Sequence, residues 1–224
     1  MVGITRHAYI EELEALRQEI AKMGREVGNA LELSVKSLME RDVATAQKVM
    51  AYDDIIDGIN VEIEDRCMLL IARQQPIARD LRIIATGLKI STDLERIGDH
   101  AHDIAKIVTD LDSQPFVKQL VDIPQMAEVA GRMLQDAIMA YNTCDVRLAE
   151  KICETDDIID ALYAKTFREL SRFIVDDAAK VKQATQLIFV ARYLERVADH
   201  ATNIAEWIIY LVTAERIRKT PRIQ

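Results

Sequence analysis

The 224-residue chain is poor in the residues that interrupt helices, with 7 glycines and 4 prolines, and aromatic residues make up 5% of it. A β-sandwich or barrel needs a turn signal roughly every 8–12 residues, and none recurs at that spacing. Cysteine is scarce: Cys67, Cys144 and Cys153 form an odd set without a CxxC pair, which reads as free buried thiols in a reducing compartment. Basic charge is also in deficit, 29 Lys and Arg against 37 Asp and Glu, for a formal charge of −8 and a pI near 5.1. That balance argues against a nucleic-acid binder, whose affinity rests on neutralising phosphates. Long apolar runs are missing. The longest candidate, Ile204 to Val212, is broken by Glu206 and too short to span a bilayer. The first twenty residues carry Arg6, Glu11, Glu12, Glu14, Arg17 and Glu19, leaving no apolar signal-peptide core. The expectation is a soluble, cytoplasmic protein without a transmembrane segment, able nonetheless to dock on a membrane complex. No Gly-rich phosphate loop, GxSxG, HExxH or DxDxDG pattern occurs.

What is present is helical periodicity, almost end to end. Residues 6–40 place Ile10, Leu13, Leu16 and Ile20, then Val27, Leu31, Val35 and Leu38, at helix spacing. Asp42 is placed to cap a second helix running to about Arg73. Gln74-Gln75-Pro76 breaks the pattern, and Pro76 suits the first position of a third helix that continues to about Asp110. Ser113-Gln114-Pro115 and Asp122-Ile123-Pro124 bracket a linker, residues 113–124.

Beyond the linker the sequence starts again. Asp53-Asp54-Ile55-Ile56-Asp57 returns 103 residues later as Asp156-Asp157-Ile158-Ile159-Asp160. Leu94-Glu95-Arg96 and Asp99-His100-Ala101 return 100 residues later as Leu194-Glu195-Arg196 and Asp199-His200-Ala201. The change of offset puts a three-residue difference between the second and third helices of each unit. The expected fold is therefore all-α: two tandem three-helix bundles related by internal duplication (residues 1–112 and 125–224), elongated because a helix of 30 residues is about 45 Å long.

On a helical wheel Ile90, Leu94, Ile97, Ala101, Ile104 and Val108 form a packing seam. Glu95, Asp99 and Asp103 stack one turn apart on the far side. The second unit repeats the seam through Val190, Leu194, Val197, Ala201, Ile204 and Ile208, with Glu195 and Asp199 opposite. On the second helix Asp53, Asp57 and Glu64 face outward. Carboxylates at i and i+4 repel by a few tenths of a kcal/mol per pair, an odd choice for solubility alone. A hard divalent or trivalent cation reverses the sign of that cost. The plainer alternative is a solvated face with Arg96 or Arg196 screening the acids. The excess of acids is uneven, 21 against 14 bases in residues 1–112 and 16 against 15 in residues 113–224, which suggests two sites of unequal strength.

A ferritin-like di-iron centre would need Glu-x-x-His on inward faces. Here Asp99-x-x-His102 occurs once, and Thr202 replaces the histidine in the repeat. His100 and His200 read as structural histidines bonding across to neighbouring helices. Arg79, Arg82, Lys89 and Arg96 cluster along the third helix, but acids interleave them, which argues against an anion site.

Pro76-Ile77-Ala78-Arg79-Asp80-Leu81-Arg82, Asp93-Leu94-Glu95-Arg96-Ile97-Gly98-Asp99-His100-Ala101 and Tyr193-Leu194-Glu195-Arg196-Val197-Ala198-Asp199-His200-Ala201 carry a resemblance. Over essentially its whole length the chain resembles the PhoU family, regulators that work with the bacterial phosphate ABC transporter. The resemblance implies two similar bundles, each with a surface metal cluster held by E(D)xxxD motifs. Carried over, the first site is Glu95 and Asp99 with Asp103 extending the stripe, and the second is Glu195 and Asp199. Asp53 and Asp57, and Asp156 and Asp160, match the second-helix acids. Asn203 stands where Asp103 stands and Phe167 where Glu64 stands, so the second site is poorer in charge. The metal implied is iron, manganese, magnesium or zinc. The implied function is regulatory rather than enzymatic: a homodimer that binds the transporter's ATPase subunit and a sensor histidine kinase and restrains uptake and the starvation response when phosphate is plentiful. Two other readings stay open, a metalloenzyme using carboxylate-bound metal and a purely structural helical adaptor.

Overall fold

The computed structural model describes residues 6–111, 116–118 and 120–216. Six α-helices make up almost all of it: α1 (Arg6–Glu40), α2 (Val43–Gln74), α3 (Ala78–Asp110), α4 (Asp122–Thr143), α5 (Val146–Asp176) and α6 (Val181–Thr213). A short 3-10 turn, Ala178–Lys180, leads into α6, and no strand occurs among the described residues. The fold is all-α, as the periodicity implies.

The punctuation is local chemistry. Asp42 Oδ1 accepts a hydrogen bond from the Thr45 backbone N–H at 3.1 Å, and its repeat partner Asp145 accepts from Leu148 at 3.1 Å. Each such cap is worth about 1 kcal/mol. Pro76 does not open α3. Gln75 closes α2 in the left-handed conformation (φ 47°) with its N–H on the Ile71 carbonyl, and α3 starts at Ala78 behind an Ile77 cap that offers no side-chain acceptor. Pro76 thus acts as the breaker that follows a helix C-cap. The three-residue difference falls where the offsets place it. Residues 75–77 separate α2 from α3, Asp177 alone separates α5 from the 3-10 turn, and α5 is one residue shorter than α2. Of the expected linker, Ser113, Gln114 and Pro115 lie outside the described residues, while Asp122, Ile123 and Pro124 form the first turn of α4.

Both seams are buried as the wheel requires: Ile90, Leu94, Ile97, Ala101, Ile104 and Val108 in α3, and Val190, Leu194, Val197, Ala201, Ile204 and Ile208 in α6. The burial of these two helices is broader than one stripe. α3 packs on α1, α2 and α6, and α6 packs on α4, α5 and α3. α1 also packs on α4, whereas α2 and α5 touch only helices of their own half. The result is two three-helix bundles laid side by side, with α1, α3, α4 and α6 central and α2 and α5 on the flanks. At 1.5 Å per residue, the 33 residues of α3 run about 50 Å, which sets the long dimension.

The halves meet antiparallel. Arg17 reaches Tyr141 and Gly28 faces Leu134 across α1 and α4. At Gly24 the helices come so close that a Cβ would stand 2.3 Å from Ile138 Cδ1. Across α3 and α6, Asp93 meets His200, and His100 meets Tyr193. One hydrophobic core therefore draws residues from all six helices.

Candidate metal centre

The acids of α3 do not lie on a convex outer face. Because α3 has three neighbours, the side opposite its seam forms the wall of a groove shared with α2 and α6. Asp53 of α2 and Glu95, Asp99 and Asp103 of α3 are all half-buried there, and Asp57 is exposed at the rim. The same holds across α5 and α6, more strongly: Asp156 and Glu195 are buried, and Asp160 and Asp199 half-buried. The helical wheel placed the seams correctly but set Asp53 on an outward face that is half-buried in the structure. It could not show which neighbours would close over the acidic face.

Asp53, Asp57 and Asp99 each offer a carboxylate oxygen, and these lie within 4.8 Å of one another. Among the described residues this is the one group of three or more His, Cys, Asp or Glu side chains with that geometry. Helix geometry produces it: Asp53 and Asp57 are one turn apart on α2, and Asp99 faces them from α3. Glu95 and Asp103 flank Asp99 by one turn on either side, outside the trio. The four acids of the second half form no such group among the described residues.

Electrostatics around the trio are strained in the direction a cation would relieve. Burial, opposed by the nearby His102 and reinforced by Asp57 and Asp99, raises the Asp53 carboxyl above its ordinary range. Burial and then Asp99 raise Glu95, and burial raises Asp103. In the second half burial, followed by repulsion from Asp199, pushes Glu195 up to about 7. Arginines screen part of this charge. Arg96 Nη1 lies 2.9 Å from Asp99 Oδ2 and its Nε 3.4 Å from Glu95, while Arg192 Nη1 donates to Glu195 Oε1 at 2.5 Å. The other Glu195 oxygen, Oε2, is buried with no hydrogen-bond partner among the described residues. An all-oxygen, multiply anionic set from two helices fits a hard divalent or trivalent cation.

Three residues outside the expected ligand set shape the groove. His102 Nδ1 lies 3.0 Å from Asp53 Oδ2 and ties α3 to α2. Thr202 stands at the repeat position, so the imidazole that ties α3 to α2 beside the trio has no histidine counterpart in the second half. Asp93 accepts from His200 Nδ1 at 2.8 Å and from Asn203 at 3.3 Å. Tyr193, one repeat later than Asp93, stacks on His100 with ring centroids 5.5 Å apart and donates to Asp103. This explains Asn203: a carboxylate at that position would face the Asp93 carboxylate. The expectation for the histidines holds for His200 only. His100 is buried, both of its ring nitrogens lack a partner among the described residues, and burial lowers it to about 4. The signal for the difference was in the sequence, as the exchange of Asp93 for Tyr193 between otherwise matching motifs.

Comparison with known proteins places these features in context. The PhoU domain model matches residues 20–108 and again 123–208. Phosphate-specific transport system accessory protein PhoU homologs from Clostridium acetobutylicum and Aquifex aeolicus are 39% and 40% identical. Those alignments cover 96% and 93% of this chain, and 98% and 94% of the relatives. The crystal structure of PhoU from Pseudomonas aeruginosa superposes with a TM-score of 0.89 at 33% identity, covering 92% of this chain and all of the other. The phosphate transport system regulatory protein PhoU from Streptococcus pneumoniae gives 0.88 at 28% identity, covering 94% and 99%.

Proposed function

This chain belongs to the PhoU family, and on that premise we propose that it is an accessory regulator of a phosphate-specific transport system. Its relatives bear accessory and regulatory names, and the chain is not an enzyme. Acting in the cytoplasm, it binds the transporter's ATPase subunit and a sensor histidine kinase, and it restrains uptake and the starvation response when phosphate is plentiful. The observation that carries this reading is near-full-length identity of about two residues in five to relatives named for that system. Among the described residues no helix is long and apolar enough to cross a membrane, in keeping with docking from outside the bilayer. The flanking helix α2 leaves Ile55, Val61, Met68 and Leu69 exposed, and this spare apolar edge suits a homodimer contact or a partner.

The acidic grooves are the proposed cation sites, one in each half: residues 1–112 and 125–224. Asp53, Asp57 and Asp99 hold the first ion, with Glu95 and Asp103 extending the set, and Asp156, Asp160, Glu195 and Asp199 form the weaker second site. These carboxylates would hold an iron, manganese, magnesium or zinc ion, whose charge would offset part of theirs, and the protein's own part is to present the carboxylates and, through His102, to orient Asp53. Elemental analysis of protein purified without chelator, combined with capture by the purified ATPase subunit, tests the reading. Metal is expected to co-purify, Asp53→Asn with Asp99→Asn to remove most of it, and the loaded wild type to bind the subunit. Wild-type protein that holds no metal and takes up none on titration refutes the cation sites. If the metal-depleted variant captures the subunit as the wild type does, the cation plays no part in that contact.

A further inference from the structure

We propose a second ligand site, distinct from the acidic grooves: a cavity of about 330 Å³ in which Arg17 of α1 and Arg79 and Arg82 of α3 bind a small dianionic oxyanion. Leu211 and Val212 at the end of α6 and Cys144 at the end of α4 complete its wall, so both halves of the chain build it.

The charge balance carries the inference. Guanidinium groups stay protonated throughout the physiological range, and no carboxylate lines the cavity among the described residues. Two helices end beside it, and their last carbonyls contribute about −0.5 each. About two of the three positive charges therefore remain uncompensated. Arg17 is held in place, its Nη2 3.0 Å from the Tyr141 carbonyl and 3.0 Å from Cys144 Sγ. Arg79 and Arg82 have no ion-pair or hydrogen-bond partner among the described residues, and Arg82 Nε is buried without one. A buried donor on a cation left unsatisfied is costly, and an anion in the cavity recovers that cost.

The start of α3 points the same way. Its cap residue Ile77 supplies no side-chain acceptor, so its first N–H groups add to the positive field, as helix N-termini do at phosphate sites. Asp80, between Arg79 and Arg82 in sequence, lies instead near Tyr9, whose hydroxyl it helps to raise. Asp80 is not among the residues that line the cavity. Arg96, further along α3, differs: it is already paired with Glu95 and Asp99.

Paired guanidiniums match the oxygens of a tetrahedral oxyanion two at a time. Phosphate has the required charge and shape, and the cavity has room either for the free ion or for the terminal phosphoryl group of a larger molecule. A ligand here ties α1 and α3 of one half to α4 and α6 of the other.

Isothermal titration calorimetry of the full chain in chelator, with sodium phosphate in one arm and ADP in the other, tests the site. Chelation removes any oxyanion held by metal in the acidic groove. Saturable binding is expected, weakened at least about tenfold in Arg79→Gln/Arg82→Gln, the scale of a lost charge-assisted hydrogen bond, and unchanged in Lys89→Gln, outside the cavity. The exposed Arg79→Gln alone serves if the double variant does not keep its helical circular dichroism. Phosphate binding that shows this pattern identifies the free ion as ligand, and binding confined to ADP identifies a phosphoryl group of a larger molecule. Absence of saturable binding in both arms, or binding equal in wild type and arginine variants, overturns the proposal. The outcome is independent of transporter binding, since the calorimetry uses the isolated chain.

Discussion

His200 Nδ1 of α6 lies 2.8 Å from Asp93 Oδ1 of α3, one hydrogen bond reaching from the second half of the chain to the first. A carboxylate can only accept, so the proton sits on Nδ1. Both side chains are mostly shielded from solvent, 23% and 14% exposed. His200→Ala leaves Asp93 with Asn203 as its remaining named donor, and it is expected to cost about 1–3 kcal/mol in urea unfolding. A double-mutant cycle with Asp93→Asn should show a coupling energy well above zero. Additive losses would mean that the contact contributes nothing specific.

Glu195 gives a pH dependence of stability. Its carboxyl, ordinarily near 4.5, is pushed up to about 7 by burial and the neighbouring Asp199. Between those two values the folded chain keeps a proton that the unfolded chain has released. Stability therefore falls as pH rises through that window and is indifferent to Glu195 on either side of it. Each pH unit inside the window removes about 1.4 kcal/mol, so the loss across the whole of it is at most about 3 kcal/mol. In chelator, Glu195→Gln should flatten the slope and be more stable than wild type at pH 8. Parallel curves for the two proteins would show that the group ionises normally.

Asp122, the first residue of α4, is buried between two ammonium groups, 3.0 Å from Lys118 Nζ and 2.7 Å from Lys165 Nζ. Burial alone would raise its carboxyl, and Lys165 and Lys118 together hold it below the usual range. Its contribution is present at neutral pH and lost as pH falls through the carboxylate range. Removing one partner of a buried pair costs about 3–5 kcal/mol. Lys165 keeps half of its side chain in water, so Asp122→Ala should fall toward about 3 kcal/mol in thermal or urea unfolding at pH 7. A change below about 0.5 kcal/mol, the range of ordinary surface substitutions, would remove Asp122 from the contacts that fix the start of α4.

Gly24→Ala tests how tightly the halves are packed. The new Cβ would meet Ile138 Cδ1 at 2.3 Å, so Ile138 must change rotamer or α1 must retreat from α4. Overpacking of this kind costs about 1–3 kcal/mol. Combining Gly24→Ala with Ile138→Val should recover part of the loss, measured as the shift in urea midpoint. No recovery would place the clash on Cγ1, which valine keeps and which the new Cβ would meet at 2.6 Å.

Much of this fold was legible because it is written in local chemistry. Asp42 and Asp145 cap helices through bonds to residues three positions on, and the seams of α3 and α6 follow from spacing alone. Pro76 was misplaced because a proline can either open a helix or follow the end of one, and Gln75 in the left-handed region decided between them. The acids were found by their spacing, yet their burial was not, since it depends on α2 and α6 flanking α3. Arg17 meets Arg79 and Arg82 only through the tertiary packing of α1 on α3, so no window of sequence contains that cavity.

The unlike contacts at the α3–α6 boundary also decide which half-chain can associate with which. If the first halves of two molecules docked through α3 in the same antiparallel register, Asp103 of each would confront Asp93 of the other, with no Asn203 or Tyr193 to receive them. Two like-charge encounters would replace two hydrogen bonds. Pairing of a first half with a second half is thereby favoured over pairing of two first halves, and the same four positions set that preference.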